Sequence, residues 1–378
     1  MKPTNHDFKA IEYFIKYKLE ATSLRDFVEW VHFGLTSEDA SNIAYALMLG
    51  ESVREVYIPI AKRVIEEVAA LAKSSANVPM LARTHGQPAS PTTFGKEFRI
   101  FEARLERQLG QIANHVLQAK LNGATGNYNA LFAVYPRANW PVFSKKFILS
   151  LGKMRGVKLE ANLLTTQIEP HDSFVEIFQA MQRINSILIG FNQDVWRYVS
   201  DGWIVQKPVV GEVGSSTMPH KINPWFLENS EGNLGMANAL FGFLAQKLPI
   251  SRLQRDLSDS TVLRNIGTAF AHTLIGFEYL ANQLGRITVN KEKARMDLER
   301  HPEVVAEAIQ TILRREGIPL PYEKLKTLTR GKEVTLKDIH EFIESLEAPP
   351  KLKRELKQFT PSTYTGLAEK LAALKVKP

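Results

Sequence analysis

Residues 174–195 read FVEIFQAMQRINSILIGFNQDV, and their spacing decides the architecture. Phe174, Ile177, Phe178, Met181, Ile184, Leu188, Phe191 and Val195 recur at intervals of three and four, which places them on one stripe of an α-helix. The run is far longer than an average helix, so its stripe has to be covered by other long helices. The same period appears at Val53, Val56, Tyr57, Ile60, Val64 and Leu71, from about Leu234 to Leu248, and from Thr261 to Leu284. Few alternating Val/Thr-rich runs lie between them, which argues against a sheet architecture. The expectation is an all-α chain built as an elongated bundle of long helices with a smaller C-terminal helical domain.

Pro and Gly gather at 79–91, 122–141 and 207–224, and these segments read as loops between helices. After about Gly285 the chain shifts to short charged segments with Pro302, Pro319, Pro321, Pro349 and Pro350. The expected domains are 26–284 for the central bundle and 285–378 for the C-terminal helical domain, with 1–25 ahead of them.

Composition narrows the function. The chain has 378 residues, 44% hydrophobic and 23% charged, enough to bury a large core. No stretch of eighteen consecutive apolar residues occurs and the first residues lack an apolar signal core, so no membrane partner is expected and the default location is the cytoplasm. The absence of cysteine excludes disulfides, thiolate nucleophiles and Cys-based metal sites. No two of the nine histidines lie within four residues of each other, so a helical His-x-x-x-His metal pair is missing. Neither Gly-x-Gly-x-x-Gly nor Gly-Lys-Ser/Thr occurs, leaving dinucleotide and triphosphate chemistry without support. A net charge of +8 favours anionic partners. The basic residues are spread along the chain rather than gathered in a stripe with aromatics, so a small anionic substrate is expected and nucleic acid is not.

Three segments carry the chemistry. Arg83-Thr84-His85-Gly86-Gln87-Pro88-Ala89 puts an imidazole beside a hydroxyl, expected at the mouth of the helix that follows, where N–H groups can hold an anion while the ring transfers a proton. A structural histidine reads equally well there. Gly211-Glu212-Val213-Gly214-Ser215-Ser216-Thr217-Met218-Pro219-His220-Lys221-Ile222-Asn223-Pro224 is rich in hydrogen-bond donors and suited to closing over an anion, or else a plain surface loop. Its Gly-Ser-Ser run is not a hydrolase elbow, because Gly-x-Ser-x-Gly is absent. In 251–265, Arg255, Ser260 and Arg264 could clamp a phosphate, although solvated helix charge explains them too. Asn5-His6-Asp7 and His32-Phe33-Gly34-Leu35-Thr36-Ser37-Glu38-Asp39 add imidazoles and hydroxyls; helix capping alone would account for Thr36 or Ser37.

Taken in order, Thr36-Ser37-Glu38-Asp39, Arg83-Thr84-His85 and the 214–224 loop on a long-helix frame resemble the aspartase/fumarase superfamily. Thr84-His85-Gly86-Gln87-Pro88-Ala89 with Arg255-Asp256-Leu257-Ser258-Asp259-Ser260 is similar to its adenylosuccinate lyase family, and Asn127-Tyr128-Asn129-Ala130 and 166–172 to the bacterial branch. The resemblance runs from residue 3 almost to the C-terminus. It implies a helical homotetramer that releases fumarate by anti β-elimination from adenylosuccinate, and from succinyl-aminoimidazole carboxamide ribotide, in purine biosynthesis, with sites shared between subunits. It implies His85 as the general acid, Ser215 as the base, Lys221 as an anion-stabilising group and Glu228 as the carboxylate orienting His85. Substrate contacts are implied for Asn5, His6, His32, Thr36, Ser37, Thr84, Gln167, Ser216, Asn223, Asn229, Arg255, Ser260 and Arg264. No metal or redox cofactor is implied. The family has a further helical domain ahead of the Asn5-His6-Asp7 motif, so 1–25 is expected to be a remnant of it, and 152–160 reads as a basic surface insertion. Two other expectations stay open: another fumarate-releasing lyase of the superfamily, and a catalytically silent truncated scaffold.

Overall fold

The computed structural model describes residues 6–208, 211, 214, 216–331 and 333–376. The long apolar stripe forms the longest helix, and the chain order around it is as follows. Helix α1 (Asp7–Glu20) leads through a 3₁₀ turn to α2 (Ser37–Ser52), which passes by a π-helical turn at Val53–Tyr57 into α3 (Ile58–Ser74). Strands β1 (Pro79–Thr84) and β2 (Gln87–Thr93) precede α4 (Phe94–Asn114), β3 (Leu117–Ala119), α5 (Asn129–Val134), α6 (Trp140–Arg155) and β4 (Leu159–Ala161). Then come α7 (Asp172–Ser200), β5 (Ile204–Gln206), α8 (Trp225–Lys247), α9 (Ser258–Leu263), α10 (Ile266–Gln283) and β6 (Ile287–Val289). Short helices finish the chain: α11 (Lys291–Glu299), α12 (Ala306–Arg315), α13 (Pro321–Thr329), α14 (Leu336–Ser345), α15 (Pro350–Leu356) and α16 (Ala368–Ala372).

Three departures from the sequence expectation have physical causes. The segment read as a loop at 79–91 is an antiparallel hairpin, in which Thr84 pairs with Gln87 and Pro79 with Thr93. Its two-residue turn, His85-Gly86, has φ of 54° and 75°, the left-handed pair that suits the twist of a tight hairpin. His85 therefore sits at a hairpin tip, separated by the whole of β2 from the start of α4, and not at a helix mouth. The helix read over 261–284 is broken at Arg264-Asn265, where the Asn265 side chain donates to the Thr261 carbonyl at 2.9 Å and its backbone oxygen accepts from Thr268. The helix read from Leu234 starts at Trp225: Phe226 and Leu227 are buried in its first turn, and the polar run 228–233 separates them from the apolar pattern that follows.

The chain folds into two compact units. One comprises Met1–Pro59, Gln108–Arg183 and Met236–Thr273; the other comprises Ile60–Arg107, Ile184–Gly235 and Leu274–Pro378. The first has a core of stacked and edge-on rings, Phe178 against Phe241 at 5.4 Å and Phe241 against Phe270 at 5.7 Å. The same unit contains a parallel two-stranded ladder, β3 with β4, in which Leu117 pairs with Leu159. In the second unit Phe94 meets Tyr198 and Trp203 edge-on at 5.6 and 6.1 Å, and Phe98 packs on Phe191. Phe94, Phe98 and Phe191 are essentially inaccessible, and each such ring contributes roughly 1.5–3 kcal/mol on burial. Strands β5 and β6 pair antiparallel beside this cluster's Trp203.

Candidate active site

In the first unit the start of α2 organises a buried polar cluster. Thr36 is the N-cap, and its backbone N–H donates to the Asp39 carboxylate at 3.0 Å, so capping accounts for part of this motif. The other face of the same carboxylate turns inward. Asp39 Oδ1 lies 3.1 Å from Lys120 Nζ, with both side chains fully buried, and accepts from the backbone N–H of Asn122 at 3.0 Å. Gly123 N–H adds a bond at 3.2 Å, while Lys120 Nζ also donates to the Gly123 carbonyl at 2.8 Å. Asn42 exchanges two bonds with the Lys120 backbone, at 2.8 and 3.0 Å. The α2 terminus and the 120–123 segment are thus one hydrogen-bonded piece. Burial pushes the Lys120 ammonium down, against the pull of Asp39.

Glu38, one residue earlier, faces the opposite way and forms an ion pair with Arg255 Nη1 at 3.0 Å; Asp259 lies 3.7 Å from the same nitrogen. Burial raises the Glu38 carboxyl above the usual range although Arg255 opposes it. His6, Ser37, Glu38, Arg255, Ser260 and Arg264 line a cavity of about 670 Å³, and Arg264 Nη1 donates to Ser260 Oγ at 2.6 Å. That size suits a ligand of a few tens of atoms. Five residues singled out in the sequence, His6, Ser37, Arg255, Ser260 and Arg264, are thereby brought to one place. Thr36 and Gln167 belong to the frame nearby in this unit: Gln167 Nε2 donates to the Ala124 carbonyl at 3.0 Å, and its N–H donates to the Gln254 carbonyl at 3.2 Å. His32 is half-buried in a left-handed turn, φ 66°, and does not line the cavity.

The residues that sequence reasoning missed here are Asp39, Lys120 and Asn122 in the pinned segment, and Glu38 and Asp259 beside Arg255. His171 belongs with them: it is buried, with φ 65°, its N–H bonded to Glu169 Oε2 at 2.7 Å, and burial holds its ring down at about 4, hence neutral. Glu169, also buried, is pushed up by that burial while Asn162 pulls it back.

The second unit carries the expected proton-transfer residues. Thr84 and His85 stand exposed at the hairpin tip, and among the described residues the His85 ring has no hydrogen-bond or ion-pair partner. Gly214 lies against the 221–223 stretch: Asn223 Nδ2 donates to the Gly214 carbonyl at 2.9 Å, and a Cβ at Gly214 would lie 2.0 Å from the Lys221 carbonyl oxygen. Only glycine admits that approach. Ser216 and Lys221 are exposed on this turn. The base expected at Ser215, like Asn5 in the other unit, lies outside the described residues. Glu228 and Asn229 occupy the first turns of α8. The Glu228 carboxylate accepts from the Trp196 indole N–H at 2.9 Å, so the contact with His85 expected of it is not made within the chain among the described residues. Asn229 Oδ1 accepts from Asn233 at 2.9 Å. No described group of three His, Asp or Glu side chains is placed to hold a metal ion, and no helix is long and apolar enough to cross a membrane.

Comparison with known proteins adds identity to this geometry. A family model described as lyase matches residues 2–239, and one described as adenylosuccinate lyase C-terminal matches 251–365. The chain is 49% identical to the adenylosuccinate lyase of Legionella pneumophila (strain Corby) and 50% identical to that of Vibrio cholerae, in each case over 98% of this chain and 80% of the relative. Against the Escherichia coli (strain K12) adenylosuccinate lyase the identity is 47%, covering 97% of this chain and 79% of that protein. Among solved structures, a fumarate lyase from Mesorhizobium sp. BNC1 superposes with a TM-score of 0.70 at 18% identity, covering 91% of this chain and 77% of that one. The 3-carboxy-cis,cis-muconate lactonizing enzyme of Pseudomonas putida gives 0.72 at 21% identity, covering 97% and 80%. These two likenesses establish the fold.

Proposed function

The chain belongs to the adenylosuccinate lyase family, and from that premise we propose that it releases fumarate from adenylosuccinate by anti β-elimination, leaving AMP. It is a lyase of the all-helical kind, spanning about four fifths of its relatives' length. The observation that carries the reading is the 49–50% identity to adenylosuccinate lyases over 98% of the chain, and a cavity of about 670 Å³ supports it, lined by Arg255, Arg264, three serines and His6 together with Asp7, Glu38 and Asp259.

In this reaction Ser215 takes the proton from the succinyl carbon next to the far carboxylate. The C–H electrons move into that carboxylate as an aci-dianion and then form the fumarate double bond, expelling the C–N pair. His85 delivers a proton to the departing purine nitrogen. Charge builds on the carboxylate, so donors fixed in advance serve best, and each one is worth about 3–4 kcal/mol of barrier. Lys221, Asn223, Ser216, Thr84, Thr36 and Ser37 have that role in the proposal. Arg255, Ser260 and Arg264, with Asn5, His6 and His32, hold the nucleotide and its phosphate, and Gln167 and Asn229 complete the substrate contacts. The same arrangement admits succinyl-aminoimidazole carboxamide ribotide, whose succinylated nitrogen and phosphate are alike. The proposal places this chemistry in the cytoplasm, within purine biosynthesis.

In the proposal the chain works as a homotetramer whose sites are shared between subunits, and what the chain leaves undone supports the sharing. His85 has no described carboxylate partner in its own chain, while Glu228 is exposed and takes the Trp196 indole on Oε1, which supports its other oxygen reaching a His85 of another subunit. The test uses two inactive variants. His85→Gln and Ser215→Ala each reduce turnover to a small residual rate at native oligomeric mass; mixed and reassembled, they regain activity in up to about one quarter of sites, as random pairing of subunits requires. Native turnover by either variant alone would overturn the roles, and a mixture that stays at the residual rate would overturn the shared site.

A further inference from the structure

The hairpin that carries His85 is anchored at its base by buried Met80, Leu81, Thr92 and Thr93, but its outer half, from Arg83 to Gln87, is exposed. A two-stranded ribbon is marginal in isolation, so the position of its tip is set by whatever grips its strands. Side chains link both strands to the C-terminal segment, β2 directly and β1 through Trp203. On β1, the Arg83 guanidinium lies over the Trp203 ring at 5.9 Å, and the Trp203 indole N–H donates to Asp297 of α11 at 2.9 Å. Asp297 in turn pairs with Lys293 at 2.8 Å. On β2, the Ser90 hydroxyl donates to Glu307 of α12, and the Tyr364 hydroxyl donates to the same carboxylate oxygen at 2.9 Å. Partial burial and then the bond to Glu307 push the Tyr364 hydroxyl up to about 12, so it remains a donor at neutral pH. Backbone contacts run the same way, from β1 to α11 and from β2 to the 3₁₀ turn Pro302–Val305 and to α16.

We infer that Glu307, shared by Ser90 and Tyr364, is a positioning residue for the general acid: it fastens β2 to the C-terminal helices and so fixes where the His85 imidazole stands. The clamp rests on the reading of His85 as the acid. It touches neither substrate nor reacting atoms, and it acts through the hairpin. A proton donor displaced by about an ångström can cost up to a hundredfold in rate, so a loosened strand shows in turnover rather than in binding.

The experiment compares Glu307→Ala, Glu307→Gln and Tyr364→Phe in the full chain, with kcat and KM for adenylosuccinate measured separately and circular dichroism recorded on each. Glu307→Ala is expected to lower kcat about tenfold with KM within twofold, Tyr364→Phe to lower it about threefold, and Glu307→Gln, whose amide oxygen still accepts, to restore most of the loss. In a His85→Ala background Glu307→Ala produces no further fall in residual rate. An unchanged kcat, a rise confined to KM, or the same proportional loss with and without His85 overturns the inference. Should His85→Ala itself leave turnover intact, the acid assignment fails first and the clamp fails with it, an outcome distinct from the others. Tyr364→Phe keeps the test open if Glu307→Ala does not fold.

Discussion

Removing the Asp39 carboxylate should be among the costliest single changes outside the proton-transfer residues. Its oxygens take Lys120 Nζ at 3.1 Å, the N–H groups of Asn122 and Gly123 at 3.0 and 3.2 Å, and the Thr36 N–H at 3.0 Å. In Asp39→Ala the buried ammonium keeps only the Gly123 carbonyl, and three backbone donors lose their acceptor. Breaking a buried ion pair from one side costs about 3–5 kcal/mol, and the orphaned donors place the expected value near the top of that range. Lys120→Met removes the ammonium but leaves the carboxylate with its three N–H donors, so about 2 kcal/mol is expected. The double variant should cost less than the sum by at least about 1.5 kcal/mol, since each single change includes the penalty of the stranded partner. Urea unfolding at one fixed protein concentration measures all three, the fixed concentration being required of any oligomer. Additivity within about 0.5 kcal/mol, or an Asp39→Ala cost below about 1 kcal/mol, would refute the account of this cluster.

The acid side of the stability profile should carry the mark of His171. Its folded value of about 4 lies below the 6.5 of the unfolded chain, so as pH falls the unfolded state takes the proton first. The contribution is complete above pH 6.5 and lost toward pH 4, about 3 kcal/mol per chain, and His171→Asn should flatten that limb in urea midpoints taken across the window. Glu38 and Glu169 act in the opposite sense: raised by burial, they favour the fold below 4.5 and lose that contribution as pH rises. Gly95→Ala should destabilise by about 3 kcal/mol, since the new Cβ would lie 2.4 Å from Ala76 Cα and 2.5 Å from the Ala72 carbonyl oxygen. Gly86→Ala meets nothing within 4 Å and should cost only the left-handed conformation at φ 75°, about 1 kcal/mol, in thermal or urea unfolding.

The helical frame was legible because its contacts are apolar and periodic: the stripe from Phe174 to Val195 lies within α7, and all eight of its residues are buried. Where polar groups replace apolar ones, periodicity falls silent. Helix α8 begins nine residues before the pattern read from Leu234: Phe226 and Leu227 are buried in its first turn, but the polar run 228–233 interrupts the period, and there the buried contact is Asn192 to Ser230 at 3.0 Å, which no hydrophobic count registers. The hairpin at 79–93 was hidden by three prolines, yet the His85-Gly86 pair between short extended segments was a usable turn signal. Motif order placed His6, Ser37, Arg255, Ser260 and Arg264 among the substrate contacts, and one cavity receives them. It could not reveal Lys120 as the partner of Asp39, because eighty-one positions of chain separate them and neither lies in a recognisable spacing. Glu38 stands in the Thr36-Ser37-Glu38-Asp39 motif without a role of its own in the sequence reading, and only the fold turns it toward Arg255.

The most direct test of the account follows purified chain with adenylosuccinate by proton NMR, integrating fumarate and AMP as they form. Equal amounts of the two, at a rate proportional to enzyme and abolished by Ser215→Ala, are the predicted result. Adenylosuccinate left unchanged by a folded oligomer, or fumarate released only from a substrate without a nucleotide, would contradict it.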